Sequence, residues 1–305
     1  LDELGFDSVR ELPRIKQPAQ VILSGLLIMA DWIASNEYYF PLLSVNEKEE
    51  VDKLRRLQDG FERWKKTSLW QPKYISKPDS LYKERFGFEP NNVQSTLSHV
   101  ITQISKPGIV VLEAPMGLGK TEASLITAEQ LATKTGRSGL FFGLPTQATS
   151  NGIFNRIEKW VESLKDDSED ILSIQLVHGK AALNEDFLKL KANTFNFDDI
   201  ENGSVIINEW FSGRKTSALD DFVVGTVDQF LMLALKQKHL ALRHLGFSKK
   251  VVIIDEVHAY DAYMSQYLME AIKWMGAYGV PVVILSATLP SQQRENILKS
   301  YMSGM

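Results

Sequence analysis

Between residues 108 and 287 the chain alternates two patterns. Short runs that are apolar almost throughout, "GIVVLEA" (108–114), "SGLFFGL" (138–144), "SIQLVHG" (173–179), "DFVVGTV" (221–227), "KVVIIDE" (250–256) and "VPVVILSA" (280–287), are separated by longer stretches with apolar residues three or four positions apart. Continuous apolar runs rich in Val, Ile, Leu and Phe are the signature of strands buried on both faces, and helices between them predict an α/β fold with a parallel, doubly wound sheet. In such sheets ligands bind beyond the carboxyl ends of the strands.

The amino-terminal third reads differently. Residues 18 to 36 look helical, and the stretch from Ala19 to Ala34, interrupted by Ser24 and Asp31, falls short of the roughly 20 apolar residues a membrane span needs, so a buried helix and no membrane partner are expected. In "NEKEEVDKLRRLQDGFERW" (46–64), Val51, Leu54, Leu57, Phe61 and Trp64 recur at helical spacing and predict an amphipathic helix whose charged residues form a solvated face. An irregular segment over 66–94, carrying Pro72, Pro78 and Pro90, marks the expected boundary between a small all-α part (1–75) and the α/β part (76–305). Two polar stretches, 165–171 and 193–204, read as loops or insertions.

Composition narrows the function little. The 305 residues carry 34 basic against 38 acidic side chains, so no overall positive field points to nucleic acid, although a local basic groove is compatible with the balance. The absence of cysteine excludes disulfides and thiolate metal sites and fits a cytoplasmic location. The chain begins at Leu1 without a secretory signal pattern and is expected to be part of something longer.

The chemistry lies at three strand ends. In "APMGLGKTEA" (114–123) a strand turns through Met116, Gly117, Leu118 and Gly119 into a helix beginning with Lys120 and Thr121. Glycines there let backbone N–H groups approach a polyphosphate, the lysine reaches the β and γ phosphates, and the threonine hydroxyl can ligate Mg²⁺. The pattern departs from the usual phosphate loop at Ala114, where a glycine is customary. Standing alone, such a turn could be a tight strand-to-helix connection with a surface lysine. In "VVIIDEVHAYD" (251–261) a buried strand ends in Asp255 and Glu256: coupled to a phosphate loop, the first can hold the Mg²⁺ and the second can polarise an attacking water, with His258 able to couple the γ phosphate to a neighbour. In "VVILSATLP" (282–290), Ser286, Ala287 and Thr288 close a third strand, where small hydroxyl residues could relay nucleotide state to a bound polymer.

These three motifs, in this order, resemble the first RecA-like lobe of a superfamily 2 helicase. The longer strings "APMGLGKTEA", "VHG", "VGTVDQ" and "DEVHAYD" resemble more narrowly the type I CRISPR-associated nuclease-helicases, over roughly residues 85 to 290. The resemblance implies an ATP-driven motor that moves on single-stranded DNA and degrades target DNA after recruitment by an RNA-guided CRISPR surveillance complex. It implies that Gln94 reads adenine, and that Pro145, Thr146 and Gln147 with Gly225, Thr226, Asp228 and Gln229 line the DNA path; Arg214 and Lys215 are possible backbone contacts, more readily read as a solvated basic loop. The same family carries an HD-type nuclease domain dependent on a divalent transition metal, whose last acidic ligand matches Asp31 in "ADWIAS". No histidine precedes His99, so the metal set cannot be completed within this chain and no nuclease activity is expected of it alone. Without a second lobe to supply arginines, slow hydrolysis and no unwinding are expected as well. Two other readings stay open: an ATPase that remodels RNA, and a non-catalytic module that docks a partner.

Overall fold

The computed structural model describes residues 14–43, 52–165, 170–178, 181, 184–195, 205–213 and 215–305. Helices α1 (Gln17–Ala34), α2 (Lys53–Trp64), α3 (Ser80–Phe86) and α4 (Asn92–Gln103) precede the alternating part. There follow β1 (Ile109–Glu113), α5 (Lys120–Thr135), β2 (Leu140–Leu144), α6 (Gln147–Ser163), β3 (Leu172–Val177), α7 (Glu185–Phe195), β4 (Val205–Ile206), β5 (Phe222–Thr226), α8 (Asp228–Leu231), α9 (Leu240–Ser248), β6 (Val251–Ile254), α10 (Ala262–Tyr278), β7 (Val282–Ser286) and α11 (Ser291–Gly304). The strands form one parallel sheet in the order β1-β7-β6-β2-β5-β3-β4.

The six predicted runs all become strands, and their uniform apolarity has the expected cause. Along β6, Val251 and Ile253 face one core while Val252 and Ile254 face the other; Phe142 and Phe141 of β2 divide in the same way. Period-two alternation with helices on both sides leaves no polar face to any central strand. Helix boundaries follow local backbone chemistry: α5 and α10 both end at glycines in the left-handed region, Gly136 and Gly279, and the Asp261 carboxylate caps α10 by accepting from Met264 N at 2.7 Å.

Three expectations are corrected. The seventh strand, β4, lies in residues the polar pattern around it concealed; it is two residues long and pairs only with the start of β3. The segment 66–94 is not irregular throughout, because α3 forms within it, and Trp70 is buried against Trp160 and Phe222 of the lobe with ring centroids 6.2 and 5.4 Å away. Helix α1 is not buried: Gly25 is its one buried residue, and Leu27 is 71% exposed. It touches the lobe along one strip, where a Cβ added to Gly25 would lie 2.5 Å from the carbonyl oxygen of Ala241 on α9, and the rest of its apolar surface is left uncovered. By length and composition α1 does reach the threshold for crossing a membrane, at 18 residues and a mean hydropathy of 1.2. Of the amphipathic helix expected over 46–64, α2 carries Leu54, Leu57, Phe61 and Trp64, while Val51 lies outside the described residues, as does Arg214.

Candidate nucleotide and nucleic-acid site

Strand order brings the three sequence motifs together. β7 lies between β1 and β6, so the turn after β1, the acidic pair after β6 and the Ser-Ala-Thr segment after β7 emerge side by side at the carboxyl edge of the sheet. The glycine turn takes its shape from positive φ values at Gly117 (83°) and Gly119 (69°), and α5 starts at Lys120 with no side chain capping its first amides. Those amides and the helix dipole point at the space above the turn. Met116 is exposed on its rim, and Leu118 O accepts from Asn91 Nδ2 at 3.2 Å, a tie between loop and α4 that carries no sequence signature. Ala114, in place of the customary glycine, is buried and continues the β1–β7 ladder by donating its N–H to Ser286 O at 3.1 Å.

Lys120 reaches across to the acidic pair. Its Nζ lies 3.9 Å from Glu256 Oε1, is buried, and makes no hydrogen bond. A buried ammonium whose three donors make no hydrogen bond and whose ion pair is long is costly, and a phosphate oxygen is an acceptor such a position accommodates. Glu256 holds its place through a backbone rarely adopted by side-chain-bearing residues, φ 53° and ψ 43°, a conformation costing of order 1 kcal/mol. Burial and the neighbouring Glu256 push the Asp255 carboxyl up to about 6, against the lowering influence of the Glu256 N–H, Lys120 and His258. Asp255 Oδ1 accepts from Glu256 N at 2.9 Å, and its carbonyl accepts the buried Tyr260 hydroxyl at 2.9 Å. An acid that burial disfavours as an anion suits a bound cation, and Thr121 is the second residue of α5, next to Lys120.

His258 joins the acids to β7. Ser286 Oγ donates to Thr288 O at 2.7 Å and so accepts from His258 Nδ1 at 3.0 Å, leaving Nε2 facing Glu256 Oε2 at 3.1 Å. Lys120, Glu256, His258, Ser286 and Thr288 thus form one continuous polar chain, with Ala287 the half-buried residue between the two hydroxyls. A further link was not anticipated: Glu113 at the end of β1 accepts from Leu289 N at 3.2 Å and pairs with Arg294 Nη1 at 2.9 Å, tying the same β7 loop to the phosphate turn.

Gln94 is buried and engaged within the protein. Its Oε1 accepts from Asn91 N at 3.0 Å in a reciprocal capping box on α4, and its Nε2 donates to Gly119 O at 3.2 Å. It therefore braces the glycine turn directly, leaving one amide hydrogen not used by the described residues.

The strand-lining candidates form a second group along the same edge. β2 and β5 are neighbours with Leu144 opposite Thr226, and Val227 N donates to Leu144 O at 2.8 Å, which sets "PTQ" beside "GTVDQ". Thr146 caps α6 through a reciprocal bond with Thr149; Thr146 and Gln147 are exposed after half-buried Pro145. Gly225 and Thr226 are buried, Asp228 is exposed, and Gln229 accepts from Arg243. His178 Nε2 meets Asn151 Oδ1 at 2.9 Å at the end of β3. Asp31 is apart from all of these, exposed on α1, its carbonyl accepting from Ser35 N and Oγ. Among the described residues no cluster of three or more metal-ligating side chains occurs.

Residues 93–297 match the DEAD/DEAH box helicase family, and residues 1–40 match the HD domain of Cas3. The chain is similar to the CRISPR-associated nuclease/helicase Cas3 of Streptococcus thermophilus, at 71% identity over 100% of this chain and 33% of that protein. Among solved structures it resembles T. fusca Cas3 with AMPPNP (32% identity, TM-score 0.78, covering 95% of this chain and 32% of that one). It also resembles a chain of a CRISPR RNA-guided surveillance complex in a pre-nicking state (30% identity, TM-score 0.61, 95% and 28%). The chain spans about a third of the length of the curated relatives it matches.

Proposed function

The chain belongs to the DEAD/DEAH box helicase family, in its CRISPR-associated nuclease/helicase branch, and from that premise we propose that it is the first motor lobe of an ATP-driven enzyme that moves along and helps degrade single-stranded target DNA. One observation carries the reading: the ammonium of Lys120, which makes no hydrogen bond among the described residues, and the carboxylate of Glu256 face each other from two distant parts of the sequence, 3.9 Å apart. The protein's own groups divide the work. Amides of the glycine turn and Lys120 hold the β and γ phosphates; Thr121 and Asp255 hold Mg²⁺, which when bound neutralises phosphate charge; Glu256 takes the proton of the attacking water. His258, Ser286 and Thr288 carry the state of Glu256 to the β7 loop. Gln94 meets adenine with the amide hydrogen it does not give to Gly119, a role supported by the family resemblance.

Pro145 to Gln147 and Gly225 to Gln229 line the nucleic acid without reading bases, as a motor indifferent to sequence requires. The likeness to a surveillance-complex chain supports recruitment by an RNA-guided complex as partner, in the cytoplasm. The match to the Cas3 HD domain supports Asp31 as the remnant of a transition-metal nuclease site that the residues of this chain do not complete, and the exposed apolar face of α1 as a surface that such a domain covers, rather than a membrane span. Purified chain is expected to bind a non-hydrolysable ATP analogue with Mg²⁺ and to lose that binding on Lys120→Ala. Equal binding by the variant would refute the site.

A further inference from the structure

Beside the groove lies a cation that no motif accounts for. Arg243, on α9, donates through Nη1 to both Gln229 O at 2.9 Å and Gln229 Oε1 at 3.2 Å. Among the described residues no acid forms an ion pair with it, and the charged groups at the amino end of β5 and the end of α9 are committed to other partners. Asp221 is held by Lys249 at 2.5 Å, Asp220 accepts from Ser173 and from Asp221 N, and buried Lys250 donates to Ala218 O and Gly246 O, both at 2.8 Å. Asp228, next to Gln229, is exposed and opens α8. Burial without a compensating acid pushes the Arg243 guanidinium down to about 10. A guanidinium drawn from water with no counter-ion is unfavourable unless something else supplies the negative charge.

The arginine is also held firmly. Its helix is packed so closely at both ends that a Cβ on Gly25 would meet Ala241 O at 2.5 Å and one on Gly246 would overlap the carbonyl of Ala218. Because Nη1 occupies the Oε1 side of the Gln229 amide, the Nε2 donors of that amide point the other way. Guanidinium and amide N–H groups together match a ligand that only accepts hydrogen bonds, and a phosphodiester is such a ligand.

We propose that Arg243 is a phosphate contact of the nucleic-acid groove, supplying its positive charge there and orienting the Gln229 amide toward the same strand. This rests on the reading that residues 225–229 line single-stranded nucleic acid. The test is binding of a short oligothymidylate to the full-length protein by fluorescence anisotropy across a series of salt concentrations. Arg243→Gln and Arg243→Met are expected to weaken binding roughly tenfold at fixed salt and to flatten the log–log salt dependence by about 0.7, the release expected for one single-strand phosphate contact. Arg243→Lys, which keeps the charge and loses the fork to Gln229, is expected to retain the wild-type slope. A wild-type slope in both uncharged variants would overturn the proposal, even with weaker binding, since a purely structural role would not change ion release. Wild-type affinity in Gln229→Ala and Thr226→Val as well would instead overturn the groove reading beneath it.

Discussion

Gly117 and Gly119 both adopt positive φ, 83° and 69°, yet their surroundings differ, and replacing each by alanine separates two effects. Forcing an L side chain into the left-handed region costs roughly 1–2 kcal/mol at either position. At Gly117 a Cβ meets nothing within 4 Å, so strain is the whole effect. At Gly119 the Cβ would come 2.5 Å from Gln94 Nε2, the atom that donates to Gly119 O. Gln94 is 2% exposed and its Oε1 is fixed by Asn91, so the amide cannot swing out to water without disturbing the α4 cap. Losing that buried bond adds about 1–3 kcal/mol. Gly119→Ala should therefore destabilise by about 2–5 kcal/mol and Gly117→Ala by about 1–2 kcal/mol, as measured by urea denaturation of the purified chain. In a Gln94→Ala background, which removes the obstructing amide, the two glycine substitutions should cost the same. Equal costs in the wild-type background, or a difference that persists without Gln94, would refute the idea that this glutamine braces the phosphate turn.

In the full-length protein Glu256→Gln should keep binding of the ATP analogue and lower turnover by about 10² to 10⁴, the range of a positioned general base; normal turnover would remove Glu256 from that role. Arg85 forks onto Glu129 at 3.1 and 2.6 Å and also donates to Ser163 O, so Arg85→Ala strands a buried carboxylate and should cost about 3–5 kcal/mol in denaturation experiments. His244 is buried against Trp274 and bonded to Tyr278 at 2.9 Å, and burial holds its pKa down to about 4. The folded state then binds fewer protons than the unfolded one, whose histidine titrates near 6.5, so stability falls as pH drops from about 6.5 toward 4, by about 3 kcal/mol in all. His244→Gln should lack that share of the acid sensitivity; an unchanged pH profile of the denaturation midpoint would contradict it.

Much of the site was legible because its chemistry is local. A glycine turn between an apolar run and a helix, or two acids closing a buried strand, are patterns within ten residues, and each ligand type follows from the turn that presents it. The same locality explains what was missed. Arg243 and Arg294 are single basic residues on helices, indistinguishable in sequence from solvated ones, and only packing shows that one has no acid partner among the described residues while the other reaches Glu113. Asn91 and Tyr260 act through backbone carbonyls, which have no signature in any sequence. α1 was misread in the opposite direction, because an apolar composition records that a surface needs covering without recording what covers it.

Residue order alone determined the central strands, their burial on both faces, and the three loops that carry the glycine turn, the acidic pair and the Ser-Ala-Thr segment, since these depend on hydrophobic period and turn chemistry over short stretches. Tertiary structure decided which loops are neighbours. Inserting β7 between β1 and β6 makes residues 120, 256 and 286 part of one polar chain, and setting β5 beside β2 makes residues 144 and 226 partners. Strand order is a property of how helices pack on the two faces of the whole sheet, a long-range balance of buried surface that no local window of sequence contains.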